Sequence, residues 1–236
     1  MKPRKSYQTR SWALLLMAAG QSKRLKSRVP KPFLYLDSKR TLLDLCLAAF
    51  KKVPGLVHVV IVTQANYLTK AGRALCEAGL SGVVTPGGER REDSVRQGLQ
   101  VVSPSVKYIL IHDAARPFIS TGVIQRVLKE TAKSGAVIPV VPVKDTLKVV
   151  ARNKVVKTLD RTTLRAVQTP QGFRVELLKK AFIKLGPKAS LMTDDAAVAE
   201  AAGIKVKAVE GDGLNFKITT PDDLKQAKEL LPRKKR

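Results

Sequence analysis

Met17-Ala18-Ala19-Gly20-Gln21-Ser22-Lys23-Arg24-Leu25 ends the first predicted strand of this chain, 13–18, and Val29-Pro30-Lys31-Pro32 follows at short range. Small residues where a strand ends let backbone N–H groups approach a phosphate chain. Arg24 and Lys31 would lay positive charge over the same anion. The loop is not a Walker A turn, which closes on Gly-Lys-Ser/Thr, and it is not a Gly-x-Gly-x-x-Gly dinucleotide turn. By itself it also fits a plain strand-to-loop turn with solvated cations.

Outward from that loop, short apolar runs alternate with helical patterns, which indicates βαβ units around a mostly parallel sheet. Strands are expected at 13–18, 57–63, 83–85, 108–112, 136–141 and 205–209, rich in Val, Ile and Leu on both faces. Helices are expected at 42–51, 67–78, 91–102, 121–133, 175–183, 194–202 and 221–230. The last opens Thr220-Pro221-Asp222-Asp223, an N-cap, a proline at the first helical position and acids in the first turn. One stretch breaks the alternation. Residues 145–167 read as short strands, 146–150 and 155–158, around a turn at Ala151-Arg152-Asn153, with no helix following. This is a β-arm leaving the main body.

Bulk composition narrows the class. The chain has 236 residues, of which 44% are apolar, enough for a buried core. Its longest apolar runs, 12–19 and 57–62, are too short to span a bilayer, and residues 1–10 are polar and basic. A cytosolic protein with no membrane association is expected. Cys46 and Cys76 fall on separate predicted helices without metal-ligand spacing, so both are expected reduced and packed in the core. Lys and Arg number 44 against 19 acids, a net charge of +25, and eight of those cations sit in the tails 1–10 and 232–236. Such a field attracts any polyanion, nucleotide or nucleic acid. Aromatics at 5% leave few rings for base stacking, and the cations form no single stripe, so nucleic-acid binding is expected to be non-specific at most.

Further segments carry a resemblance. Ala-Ala-Gly, then Arg-Leu, then Pro-Lys resembles the signature loop of nucleotidylyltransferases that activate sugar phosphates. Gly87-Gly88-Glu89-Arg90-Arg91-Glu92-Asp93-Ser94-Val95 and His112-Asp113-Ala114-Ala115-Arg116-Pro117-Phe118 follow in order. Then come Pro142-Val143-Lys144-Asp145-Thr146-Leu147-Lys148, Asp160-Arg161, Gln168-Thr169-Pro170-Gln171, Thr193-Asp194 and Asn215-Phe216-Lys217-Ile218-Thr219 with Pro221-Asp222-Asp223-Leu224. In this order the set resembles the 2-C-methyl-D-erythritol 4-phosphate cytidylyltransferase family across residues 13 to 224.

The resemblance implies a Rossmann-like, mostly parallel sheet flanked by helices, in one nucleotidylyltransferase domain over 11–231 with its arm at about 143–168. The reaction implied joins CTP to a sugar-alcohol phosphate with loss of pyrophosphate. Lys and Arg suit this chemistry because neither needs to lose a proton to act on crowded phosphates. By resemblance, Arg24 and Lys31 stabilise the transition state, while Arg161 and Lys217 hold the attacking phosphate. Ala18, Ala19 and Gly20 line the phosphate loop. Gly87, Gly88, Arg91 and Ser94 belong to the loop that reads cytosine and ribose. Arg116, Thr146 and Thr193 contact the acceptor. Asp113, where the 108–112 strand ends, would hold Mg2+ against the triphosphate; its plain reading is a turn cap or a partner for Arg116. The arm implies a homodimer in which Arg161 enters the neighbouring site. His112 is read as positioning the Asp113 turn, because a phosphate monoester nucleophile needs little deprotonation near neutral pH, and His58 as a strand residue.

Three departures from the family stand out: Ser22 where Gly is usual, Asp195 where Glu is frequent, and Gly211-Asp212-Gly213-Leu214, which leaves Asp212 as the only nearby second metal ligand. A ribitol 5-phosphate cytidylyltransferase shares the phosphate loop and the Asp-x-x-Arg-Pro segment. Ala114-Ala115 and Asp93-Ser94-Val95 fit the methylerythritol branch better.

Overall fold

A computed structural model describes residues 11–20, 22–25 and 27–231; the basic tails expected at 1–10 and 232–236 lie outside these. Strand β1 (Trp12–Met17) is followed by helix α1 (Leu42–Phe50), β2 (Leu56–Thr63), α2 (Leu68–Glu77), β3 (Gly82–Pro86), α3 (Arg91–Gln100) and β4 (Tyr108–Asp113). Then come α4 (Thr121–Ser134), β5 (Ala136–Pro142), β6 (Lys148–Ala151), β7 (Lys154–Thr158), β8 (Arg165–Val167) and β9 (Gln171–Arg174). Helices α5 (Val175–Leu185) and α6 (Asp195–Ala201), strand β10 (Lys207–Glu210) and α7 (Pro221–Glu229) complete the order.

The main sheet runs β10-β5-β9-β4-β1-β2-β3, with β8 pairing against β5. All neighbours are parallel except β9, antiparallel between β4 and β5, and β8, antiparallel to β5. Strand β1 shows why helices cover both faces. Trp12, Leu14 and Leu16 pack with α1, α2 and α4, whereas Ala13 and Leu15 pack with α3, α5 and α6. Every residue from Trp12 to Leu16 is fully buried. The parallel β1, β2 and β4 therefore all end on one edge, where open α/β sheets bind ligands.

Strand β9 was not anticipated. Gln171-Gly172-Phe173-Arg174 has no apolar run, and its place in the sheet is set by packing. A Cβ at Gly172 would lie 2.2 Å from Thr131 Oγ1 and 2.8 Å from Val127 Cγ1, so only glycine lets α4 approach. The arm forms as expected, with β6 and β7 in their own two-stranded sheet. Arg152 and Asn153 turn it at φ of 49° and 61°, the paired positive values of a tight hairpin. The cysteine expectation holds for one residue of two. Cys46 is fully buried, but Cys76 is exposed, because Ala71 and Leu75 set the inward face of α2 and Cys76 follows about 100° round the helix.

Candidate active site

A cleft of about 890 Å³ opens at the carboxyl edge of the sheet. The end of β1 supplies Ala18, Ala19 and Gly20 to its wall, and the following loop supplies Arg24 and Lys31. Gln64 Nε2, just past β2, donates to the carbonyls of Ala19 (3.3 Å) and Gly20 (3.4 Å), which draws those carbonyls toward β2. Lys31 Nζ donates to Ile218 O at 3.3 Å. Burial, then the nearby Lys217 and Arg24 cations, lower the Lys31 pKa from its ordinary value. A cation held this way among cations is poised for an anionic ligand.

The β3–α3 loop forms the opposite wall with Gly87 and Gly88, and the first turn of α3 adds Arg91 and Ser94. Gly87 packs so tightly on the phosphate loop that a Cβ would sit 2.5 Å from Ala19 Cβ. Ser94 Oγ accepts from Gly88 N–H at 3.1 Å and donates to Arg90 O at 3.0 Å, which fixes the loop. Arg91 makes a bidentate pair with buried Asp195, at 3.0 and 2.7 Å, and its Nε lies 3.7 Å from Asp113 Oδ1.

Asp113 sits at the end of β4, nearly buried. Its Oδ2 accepts from Lys217 Nζ at 2.7 Å. Burial pushes the carboxyl up, but Arg91 and then Lys217 outweigh it and hold Asp113 well below the usual carboxylate range. Lys217 is brought in because Ile218 N–H donates to Ala115 O at 2.9 Å, laying segment 215–218 along the turn after β4. His112 is fully buried and links that turn to Thr169. Its Nε2 lies 3.1 Å from Arg116 O and its Nδ1 3.0 Å from Thr169 Oγ1, which also accepts from Asp113 N–H at 3.1 Å. Burial lowers the His112 pKa to about 4, so the ring is neutral near pH 7, in keeping with a positioning part.

Thus Ala18, Ala19, Gly20, Arg24, Lys31, Gly87, Gly88, Arg91, Ser94, Asp113 and Lys217 share one cleft. Four other candidates do not line it. Arg116 lies behind the Asp113 turn, half-buried, with Nη1 donating to Asn215 O at 2.8 Å. Thr193 is exposed just before α6, and Thr146 is exposed at the base of the arm. Arg161 is exposed beyond β7 and donates to Lys144 O. Gln64 and the hydrogen-bonding role of Thr169 were missed, and Ser22, expected as a hydrogen-bond donor, instead accepts from Lys31 N–H. A lone glutamine or threonine at an element's end carries no periodic or charge signal.

Among the described residues no three His, Cys, Asp or Glu side chains cluster as a metal site. Asp212 caps its own loop, accepting from Leu214 N–H at 2.9 Å, and does not line the cleft. Asp113 nonetheless suits Mg2+, which takes one or two protein carboxylates and fills its sphere with phosphate and water. Its Oδ1 lies 3.7 Å from Arg91 Nε, too far for a hydrogen bond, which leaves lone pairs for a hard cation.

Comparison with known proteins agrees with this geometry. Residues 12–233 match the family model described as IspD: 2-C-methyl-D-erythritol 4-phosphate cytidylyltransferase. The enzyme of that name from Bacillus mycoides (strain KBAB4) is 39% identical over 222 residues, 93% of this chain and 97% of the relative. The bifunctional enzyme IspD/IspF of Desulfotalea psychrophila is 38% identical over 224 residues; 94% of this chain is matched, and the chain spans 57% of that enzyme's length. The crystal structure of 2-C-methyl-D-erythritol 4-phosphate cytidylyltransferase from Thermus thermophilus superposes with a TM-score of 0.77 at 37% identity, covering 93% of this chain and 98% of the other. With the fold, the cleft and the sequence all agreeing over nearly the full length, the chain belongs to the 2-C-methyl-D-erythritol 4-phosphate cytidylyltransferase family.

Proposed function

We propose that this chain joins CTP to 2-C-methyl-D-erythritol 4-phosphate, giving 4-diphosphocytidyl-2-C-methyl-D-erythritol and pyrophosphate, in the non-mevalonate route to isoprenoids. One observation carries the reading: Lys31, Lys217 and Asp113 converge on the cleft that also holds the glycine loop 87–88. A phosphate oxygen of the acceptor attacks the α-phosphorus of CTP in line, and the bond to the β-phosphate oxygen breaks. Both reactants are anions, so the protein's task is to neutralise charge and align them. Lys31 and Arg24 face the α-phosphate and the departing pyrophosphate. Lys217, drawn from Asp113 by the acceptor phosphate, holds the nucleophile. Asp113 would hold Mg2+, which when bound screens the triphosphate.

Residues 11–231 act as one nucleotidylyltransferase domain in this reading. The arm supports a homodimer, because four of its valines, Val149, Val150, Val155 and Val156, are 41–64% exposed on a ribbon that would be marginal alone. Arg161 and Thr146 would then serve the partner's cleft, with Arg116 and Thr193 at the acceptor's end of each site. Among the described residues no helix is long and apolar enough to cross a membrane, which fits a cytoplasmic enzyme. Nucleic acid would bind only non-specifically. The test is pyrophosphate release from CTP with 2-C-methyl-D-erythritol 4-phosphate or ribitol 5-phosphate, each with and without Mg2+. Turnover confined to the first acceptor and to Mg2+ is expected. Preference for ribitol 5-phosphate would reassign the acceptor, and release with neither would overturn the activity.

A further inference from the structure

Ser22 closes the neck of the loop that carries Arg24 and Lys31. Its Oγ accepts from Lys31 N–H at 2.7 Å across nine residues, and it is only 6% exposed. Its backbone stands at φ 55°. The other positive-φ residues described that are not glycine, Arg152 and Asn153, form the arm's turn, where that conformation is what the hairpin requires. At Ser22 glycine would adopt the same conformation without strain, whereas any Cβ is disfavoured there. What serine offers in return is the hydroxyl.

That hydroxyl acts on a cation with reason to leave. Lys31 shares its surroundings with Lys217 and Arg24, which repel it, and with Asp113 and Asp223, which attract it; burial and repulsion prevail. A free lysine would swing toward water. Here the backbone of Lys31 is tied by Ser22 and its Nζ by Ile218 O, 3.3 Å away. The other limb of the loop is tied by Gln64 through the carbonyls of Ala19 and Gly20. The loop is therefore fastened at both limbs while Arg24 and Lys31 line the cleft.

We infer that Ser22 is a positioning residue: its hydroxyl holds Lys31 in the cleft ahead of CTP, so that the charge is in place when the α-phosphate is attacked. The inference rests on the proposed role of Lys31 in cytidylyl transfer. A misplaced transition-state cation costs turnover more than ground-state binding, and small misplacements reach tens of fold.

The test compares Ser22→Gly, Ser22→Ala and Ser22→Thr in the full chain, reading kcat, KM for CTP and the thermal midpoint. Ser22→Gly is expected to keep or raise the midpoint through relief of the positive φ, yet lower kcat about tenfold with KM changing less than about threefold. Opposite movement of stability and turnover is the signature a merely structural serine would not give. Ser22→Ala should lose the same turnover with a lower midpoint. Ser22→Thr, which keeps the acceptor oxygen, should regain part of it. Wild-type kcat in both the glycine and alanine variants, beside an active wild type, would overturn this inference alone. A wild-type chain that releases no pyrophosphate would overturn the cytidylyl-transfer reading, and this inference with it.

Discussion

Lys31 stands among charges of both signs, with Lys217 and Arg24 repelling it and Asp113 and Asp223 attracting it. Burial and two neighbouring cations weigh against its charge, and a carbonyl and a serine hold it in place. A cation kept there against repulsion is stabilising chiefly when an anion arrives, which is how a charged site favours a transition state over the free enzyme. Lys31→Ala removes that repulsion, so folding should be unharmed and the thermal midpoint should not fall. Pyrophosphate release should drop by at least about a hundredfold, the scale of a lost charge-stabilising donor in a closed site. Near-normal release would remove Lys31 from the mechanism. Lys31 was legible through the family resemblance and not through the loop alone, which fits a plain turn with solvated cations equally well. The Ser22 tie was not, since it depends on a fold-back across nine residues that no local pattern announces.

Two element contacts lend themselves to measurement. The first joins α3 to α6 through Arg91 and Asp195, a bidentate pair whose acid is 1% exposed and whose arginine side chain is 30% exposed. Asp195→Asn would leave the guanidinium half-buried without its counter-charge. Losing one partner of a buried pair costs about 3 kcal/mol or more, and the arginine's partial exposure puts this case at the low end. Urea unfolding at pH 7 should show it; a shift below about 1 kcal/mol would mean that Asp113 takes over the guanidinium. The second contact is the capping box of α7. Asp223 Oδ2 accepts from Thr219 N–H (2.7 Å) and Thr220 N–H (2.8 Å), while Thr220 Oγ1 accepts from Asp223 N–H (3.2 Å). Burial pushes the Asp223 carboxyl up, but the Thr220 and Thr219 N–H groups prevail and lower it. A carboxyl depressed in the fold stabilises above its unfolded pKa of roughly 4, and that stability is lost as pH falls through the folded value. Asp223→Ala should therefore cost about 1 kcal/mol at pH 7, and the gap to wild type should close toward pH 3. A gap constant between these pH values would show that the carboxylate's charge plays no part in the cap. This cap was readable as Thr-Pro-Asp-Asp, the helices from their periodicity and the parallel strands from their short continuous apolar runs. Strand β9 was hidden because its place is decided by α4 packing on Gly172, a long-range fact with no local apolar signal.

At the scale of the whole molecule, the arm and the cleft pose one question, since the sequence pattern that supplies Arg161 places it on a different part of the surface from Lys31. Within one chain Arg161 is exposed beyond β7 and does not line the cleft. If two copies pair through the arm, a site combines Lys31 of one copy with Arg161 of the other, and two defective chains can repair each other. Arg161→Ala and Lys31→Ala should each be nearly inactive alone. In a mixed dimer one cleft carries an intact Lys31 and faces an intact Arg161, while the other carries both losses. Random exchange in an equal mixture makes half the dimers mixed, so activity should recover to about a quarter of wild type, given two-fold symmetric pairing. Sedimentation would verify that the chains are dimeric, and co-purification of the untagged variant with a tagged one would verify that they have exchanged. Activity that stays at the average of the two parents after exchange would place each Arg161 with its own chain's cleft, and the arm would then need another purpose.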